Sequence, residues 1–212
     1  RARLHEPDAD LVLAALLDGL RGEGLGLLDV RDEDRQLQAR AGLVRRVLGA
    51  DWPRLDDGDL LEDAERLLGP FLLSARNRAG LSRLRLGTVL AARIGPQRLR
   101  QLDRLAPTHL EVASGGRRPL DYTVGDRPVL AVRLQELFGA TTTPTLVEGR
   151  VPVLLHLLSP AGRPVQVTDD LAGFWERGYP QVRAELRGRY PKHAWPEDPL
   201  TARALRGTPR RR

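Results

Sequence analysis

A chain of 212 residues is long enough to bury a sizeable core, in one domain or two small ones. The absence of cysteine excludes a disulfide framework, a thiolate nucleophile and a Cys-type zinc site. No apolar run approaches the roughly 20 residues of a membrane-spanning helix and no leader pattern is visible, so a soluble, cytoplasmic protein with no membrane partner is expected.

The chain holds no methionine and starts at Arg1, which leads us to expect a piece of a longer polypeptide. Its formal net charge of +6 is unevenly spread. Residues 1–70 hold 10 arginines against 16 acids, net −6, whereas residues 71–118 hold 10 arginines against only Asp103 and Glu111, net +8. Residues 119–212 are net +4. The central block is the candidate polyanion-facing region. The competing reading is compositional bias, since 33 of the 34 basic residues are arginine.

The first half reads as helices. Asp8 is a plausible N-cap for "PDADLVLAALLDGLRGEGLG", which places Leu13, Leu16, Leu17 and Leu20 at helical spacing before its glycines. A second helix, "RDEDRQLQARAGLVRRVLG", has acids first and Arg45 and Arg46 last, the order that complements a helix dipole, and stops at Gly49. A third, "DDGDLLEDAERLLGP", is expected to stop at Gly69-Pro70. Pro96 and Pro107 bracket a fourth, with Leu99, Leu102 and Ala106 on one face and Gln97, Arg100, Gln101 and Arg104 on the other.

Near Pro107 the period changes from 3.6 to 2, the expected domain boundary. "THLEVA", "PLDYTV" and "PVLAVRL" alternate between turn signals, and "VPVLLHLL", apolar on both faces, is predicted to be central. The pattern predicts a small antiparallel β-sheet or barrel over residues 107–168. Thr168 is expected to cap a helix carrying Leu171, Phe174 and Trp175 as core, and Pro180 to restart a second helix. "YPKHAWPEDP" is expected to be extended because its prolines remove donors, and residues 201–212 read as a disordered basic tail. The fold class is therefore α+β: a helical region over 1–106, the β-domain, and C-terminal helices with an extended arm over 169–200.

Enzymatic chemistry is sparse. A P-loop ends in lysine, yet the only lysine, Lys192, follows a proline. "GEGLG" follows no strand and contains an acid, so it reads as a helix-end loop. His5, His109, His156 and His193 lack ligand spacing, and His156 in its apolar strand reads as a core or edge residue. No G-x-S-x-G elbow exists, and Ser159 falls in a turn.

Two features suit a polynucleotide. Arg100 and Arg104, with Arg93, Arg117 and Arg118 nearby in sequence, offer guanidinium forks that match phosphate oxygens. "RGRYPKHAWP" supplies Arg187, Arg189, Lys192 and His193 among Tyr190 and Trp195, the mixture of cations and stacking rings that suits single strands. The alternatives are a solvated helix face and an arm pinned onto neighbouring protein.

"APTHLEVASGGRRPLDY", "PVLAVRLQELFG" and "GRVPVLLHLLSPAGRPVQVTDDLAGFWERGYPQVRAELRGRYPKHAWPEDP" closely resemble the C-terminal region of the HrpB family of bacterial ATP-dependent RNA helicases, of the DEAH-box class. The match is dense from about Leu105 to Pro199 and looser from about Asp51; Ala113 stands where the family pattern has proline before "SG". The resemblance implies a parent motor with two upstream RecA-like domains that hydrolyse ATP with magnesium; no cofactor is expected in this segment, which carries none of those motifs. It also implies an accessory body that guides single-stranded RNA and docks on the motor. The alternative is a structural or protein-interaction region without RNA contact. An independent enzyme lacks a coherent nucleophile, base or metal set.

Overall fold

The computed structural model describes residues 8–72, 75 and 77–207. His5 and the basic stretch Arg210–Arg212 lie outside the described residues. The chain divides into two compact units, residues 1–104 and 105–212. The division falls two residues before the sequence-based boundary, and the sheet, the C-terminal helices and the arm belong to one unit rather than to separate regions.

The first unit is helical. α1 (Ala9–Glu23) is capped by the Asp8 carboxylate, which accepts from the Asp10 N–H, and it ends at Gly24, where φ is 84°. α2 (Asp32–Leu48) begins where the Asp34 side chain accepts from the Arg31 N–H at 3.0 Å. The expected third helix is two, α3 (Asp57–Glu62) and α4 (Ala64–Leu72). It breaks at Asp63, and it continues past Pro70 rather than stopping there. Proline forfeits a single hydrogen bond, whereas the continued turn buries Leu72 to 1% exposure beside the fully buried Leu68.

A short α5 (Arg78–Leu81) precedes α6 (Leu86–Ile94), a helix that the sequence pattern does not single out, which buries Leu86, Val89, Leu90 and Ile94. Asp29 and Arg85 form an isolated parallel bridge, with N–H···O distances of 3.0 Å, that ties the entry of α2 to that of α6. α7 (Pro96–Leu105) completes the helical set with Leu102 fully buried. Arg40 of α2, only 6% exposed, donates to Asp103 of α7 at 2.6 Å and fixes which face of α7 turns outward.

The second unit holds a five-stranded sheet of β1 (His109–Glu111), β2 (Arg117–Asp121), β3 (Val129–Arg133), β6 (Leu154–Leu158) and β7 (Pro164–Thr168), in the order β1-β2-β3-β6-β7. β4 (Thr145–Leu146) and β5 (Val151–Pro152) form a separate two-stranded ribbon. The sheets do not close into a barrel. Nor is the main sheet wholly antiparallel: β3 and β6 pair in parallel, Leu130 opposite Leu155 and Val132 opposite Leu157. A parallel neighbour requires a crossover, here the 3₁₀ turn Leu134–Leu137 and the ribbon. β6, expected to be central, is an interior strand flanked by β3 and the edge strand β7, while the middle position belongs to β3.

Helix residues run from 171 to 189 without a break: α8 (Leu171–Gly173), a π-helical turn (Phe174–Gly178) and α9 (Tyr179–Arg189). Its N-cap is Asp170, which accepts from the Gly173 N–H at 2.8 Å, rather than the expected Thr168, whose hydroxyl accepts from the Asp170 N–H instead. Pro180 stands in the first turn of α9, as expected, although the π turn joins that helix to α8 without a gap. The π turn widens the spiral just before it, and this accommodates its missing donor. Leu171, Phe174 and Trp175 are core, 0–5% exposed, and Trp175 Nε1 donates to the Ala140 carbonyl at 2.8 Å.

Candidate nucleic-acid interface

The charge segregation of the sequence reappears as a difference in pairing. Among the described residues, every arginine up to Arg66 has an internal partner: Arg21 takes Asp18, Arg31 takes Asp29, Arg35 takes Asp57, Arg54 takes Asp59 and Arg66 takes Asp63. Arg45 donates to the carbonyls of Ala50 and Trp52, Arg40 is held by Asp103, and Arg46 is engaged as well. On α7 the pattern reverses. Arg98, Arg100 and Arg104 are exposed and have no ion-pair or hydrogen-bond partner among the described residues. Arg93 on α6 is half-buried with its Nε lacking a partner. Arg66 chiefly, and Arg93 more weakly, hold the Asp63 carboxyl below the usual carboxylate range.

In the second unit the β1–β2 hairpin carries Arg117 and Arg118. Arg117 is exposed and sits opposite Glu111 in the strand register. The expectation that Arg118 faces a polyanion is corrected by its geometry. Its Nε and one terminal nitrogen each donate to Glu136 at 2.8 Å, and that hydrogen bonding raises the guanidinium pKa further. A carboxylate that is 1% exposed needs such a partner, so Arg118 is spent inside the unit.

The arm is non-helical, as its prolines dictate, but it turns at Pro191 and Lys192, where the His193 N–H donates to the Tyr190 carbonyl, rather than running fully extended, and it is tied back at successive points. Trp195 Nε1 donates to the Tyr190 carbonyl at 2.9 Å, Arg183 Nε donates to the Trp195 carbonyl at 2.9 Å, and the Tyr179 hydroxyl donates to the Pro196 carbonyl at 2.8 Å. Further on, the Gly139 N–H donates to the Pro199 carbonyl, the Leu205 N–H to the Gln135 carbonyl, and Arg206 to the Gly115 carbonyl. Residues 201–207 are therefore anchored where a disordered tail is expected, because their backbone groups satisfy the turn after β3.

The Tyr190 and His193 rings meet edge to face at 6.0 Å, and both are half-buried, as is Trp195. Arg187, Arg189 and Lys192 stay exposed, without partners among the described residues. The end of α9 and the arm thus bring three free cations beside three partly covered rings.

A cleft of about 320 Å³ that the sequence does not announce lies between β7, with the turn before it, and α9. Gln181, Glu185 and Arg189, four residues apart on one helix face, form one wall. Arg163 and Gln166 stand on the other wall, and Tyr190 lies at the helix end. The i, i+4, i+8 polar stripe in "QVRAELRGR" is the one local signal of it. Its facing strand wall depends on tertiary packing.

Among the described residues no helix is long and apolar enough to cross a membrane, and no group of three or more His, Asp or Glu side chains is placed to hold a metal ion. Lys192 lies in a turn after Pro191 rather than at the mouth of a glycine loop.

The family model for the C-terminal region of ATP-dependent helicases matches residues 67–199. The chain belongs to this family, HrpB_C. Over 206 residues, 97% of the chain, it is 40% identical to the ATP-dependent RNA helicase HrpB of Escherichia coli strain K12. It spans only 26% of that relative's length.

Two crystal structures share the fold. That of the E. coli DExH-box NTPase HrpB aligns with a TM-score of 0.88 at 39% identity, covering 97% of this chain and 26% of the other. That of the Escherichia coli DEAH/RHA helicase HrpB aligns with a TM-score of 0.74 at 37% identity, covering 92% and 25%. The resemblance carried by "GRVPVLLHLL" and the arm therefore holds at the level of the family, and both units lie within the likeness.

Proposed function

We propose that this chain is the accessory C-terminal body of an ATP-dependent RNA helicase, and that it guides single-stranded RNA and docks on upstream motor domains that hold ATP and magnesium. The observation that carries the RNA reading is the outward face of α7. Arg98, Arg100 and Arg104 lack carboxylate partners there, in a unit whose arginines up to Arg66 are all engaged among the described residues. Unpaired, exposed guanidinium groups on a rigid helix retain their full capacity for phosphate oxygens. Docking on a motor is supported by the relative, whose length is matched over only 26%.

The test is binding of labelled single-stranded RNA across a salt series, wild type against Arg98→Ala/Arg100→Ala/Arg104→Ala. Each phosphate deprived of its arginine flattens the salt slope by about 0.7. An unchanged slope in a folded triple variant would remove α7 from the interface.

A second reading applies to the arm. Its rings and carbonyls are engaged with its own unit, which favours a structural role for Trp195 and leaves Arg187, Arg189 and Lys192 as its outward-facing groups.

A further inference from the structure

The cleft between β7 and α9 is set apart from the rest of the surface by unspent chemistry. Arg163 and Arg189 face it from opposite walls, and neither guanidinium group has an ion-pair or hydrogen-bond partner among the described residues. Gln181 and Glu185 on the helix wall are likewise without partners among the described residues. The floor is apolar, from Val165 on the strand side and Val182 and Leu186 on the helix side, and the half-buried Tyr190 lies at one end. Gly178 lies at the other end, where a side chain would strike the Phe174 ring at 2.8 Å, so the π turn leaves this end of the cleft without a side chain.

Cations, amides, a carboxylate and an aromatic face around an apolar floor make an unusual mixture, and it narrows the ligand. Two guanidinium groups call for an anion of the phosphate class. A bare phosphate would leave the apolar floor and the ring unused, and it would face the Glu185 carboxylate. A planar heterocycle uses the floor and Tyr190, and its edge offers both donors and acceptors to Gln181. The acceptor-only Glu185 is matched by a sugar hydroxyl. A volume of about 320 Å³ is at the scale of one small-molecule site rather than of a folded partner.

We infer that this cleft binds one nucleoside monophosphate unit, its phosphate between Arg163 and Arg189 and its base over the apolar floor beside Tyr190. The unit comes either from a single strand of RNA or from a free nucleotide. The strand source rests on the RNA reading above; the chemistry of the cleft stands without it.

The experiment uses the whole chain and three probes: a labelled oligouridylate, AMP and inorganic phosphate. Two variants are compared with wild type, Arg163→Ala/Arg189→Ala and Gln181→Ala. All three side chains are exposed and make no hydrogen bond or ion pair among the described residues, and the Arg163 N–H that donates to the Ser159 hydroxyl is kept in the alanine variant, so folding is expected to be retained, and a melting curve checks this. If the source is a strand, the arginine double variant weakens the oligonucleotide about tenfold and flattens its salt slope by about 0.7, while AMP binds feebly to both proteins. If the source is a free nucleotide, AMP quenches the intrinsic fluorescence of the wild type, and the quenching is lost in the double variant. In either case Gln181→Ala weakens binding without changing the salt slope, since it touches no phosphate.

Unchanged binding of both nucleotide probes in the folded double variant overturns the inference. So does inorganic phosphate competing as well as AMP. The α7 triple variant is measured alongside. Loss of RNA binding there with none in the cleft variants overturns the cleft and leaves the RNA reading standing, and the converse pattern does the reverse for α7.

Discussion

The Arg118 guanidinium holds the Glu136 carboxylate by two hydrogen bonds of 2.8 Å, joining the β1–β2 hairpin to the 3₁₀ turn after β3. Glu136 is 1% exposed while the Arg118 side chain is 33% exposed, so the carboxylate is the member that depends on its partner. Arg118→Ala is expected to lower unfolding free energy by about 3 kcal/mol, the low end for breaking a buried pair. Replacing both residues by apolar ones of similar volume should recover much of that loss. Urea unfolding of the two variants measures the difference, and equal losses would place the cost elsewhere in the hairpin.

Alkaline pH should loosen the junction of helix and arm. Burial pushes the Tyr179 phenol up to about 12, against about 10 in an unfolded chain, while its hydroxyl donates to the Pro196 carbonyl. A raised folded value means the protonated phenol is the form that folding favours. Its contribution is full below pH of about 10 and is lost as the pH rises toward about 12. The urea midpoint should therefore fall across that window in the wild type, and less steeply in Tyr179→Phe.

Trp195 is expected to matter for stability more than for ligand. Trp195→Phe keeps most of the ring and removes the bond to the Tyr190 carbonyl, a loss of about 1 kcal/mol. Trp195→Ala also removes packing, and because the residue is half-buried the loss should be about 2 kcal/mol, below that of a fully buried ring. Proteolysis within residues 190–207 should accelerate in the same order. RNA affinity falling in Trp195→Ala without a change in proteolysis would contradict this assignment.

Two glycines of the C-terminal helix should respond in opposite directions. A Cβ at Gly178 meets the Phe174 ring at 2.8 Å, so Gly178→Ala should destabilise by about 1–3 kcal/mol through displacement of the aromatic cluster. Nothing lies within 4 Å of a Cβ at Gly188, also helical, and Gly188→Ala should stabilise by about 0.5–1 kcal/mol. Thermal melts of the pair provide the comparison.

The legible parts of this structure are those set by local physics. Asp8, Gly24 and Gly49 delimit helices through caps and positive φ, and the change of period near Pro107 follows from side chains alternating across a sheet. What escapes a sequence reading depends on distant partners. The parallel pairing of Leu130 with Leu155 has no local signature, and α6 is a short run whose Gly87 and Thr88 weaken its helical signal although tertiary burial secures it. Arg118 looks like its neighbour Arg117 in sequence, and only the fold shows that one meets Glu136 while the other faces solvent. A hint is present: Glu136 stands next to Leu137 and Phe138 and two residues after Leu134, and an acid in such company needs a cation.

The parallel pair at the centre of the main sheet has a bearing on the order of assembly. β1, β2 and β3 form a meander from neighbouring segments, and so do β6 and β7, but the β3–β6 seam that joins them must wait for the crossover between Arg133 and Leu154. At about 5–20 residues per second, a ribosome leaves the inner edge of β3 unpaired for roughly one to four seconds. During that interval its backbone donors and acceptors are a template for any passing strand. Synthesis is therefore a stage at which this sheet is open to aggregation through β3, and it ends when Leu155 and Leu157 arrive beside Leu130 and Val132.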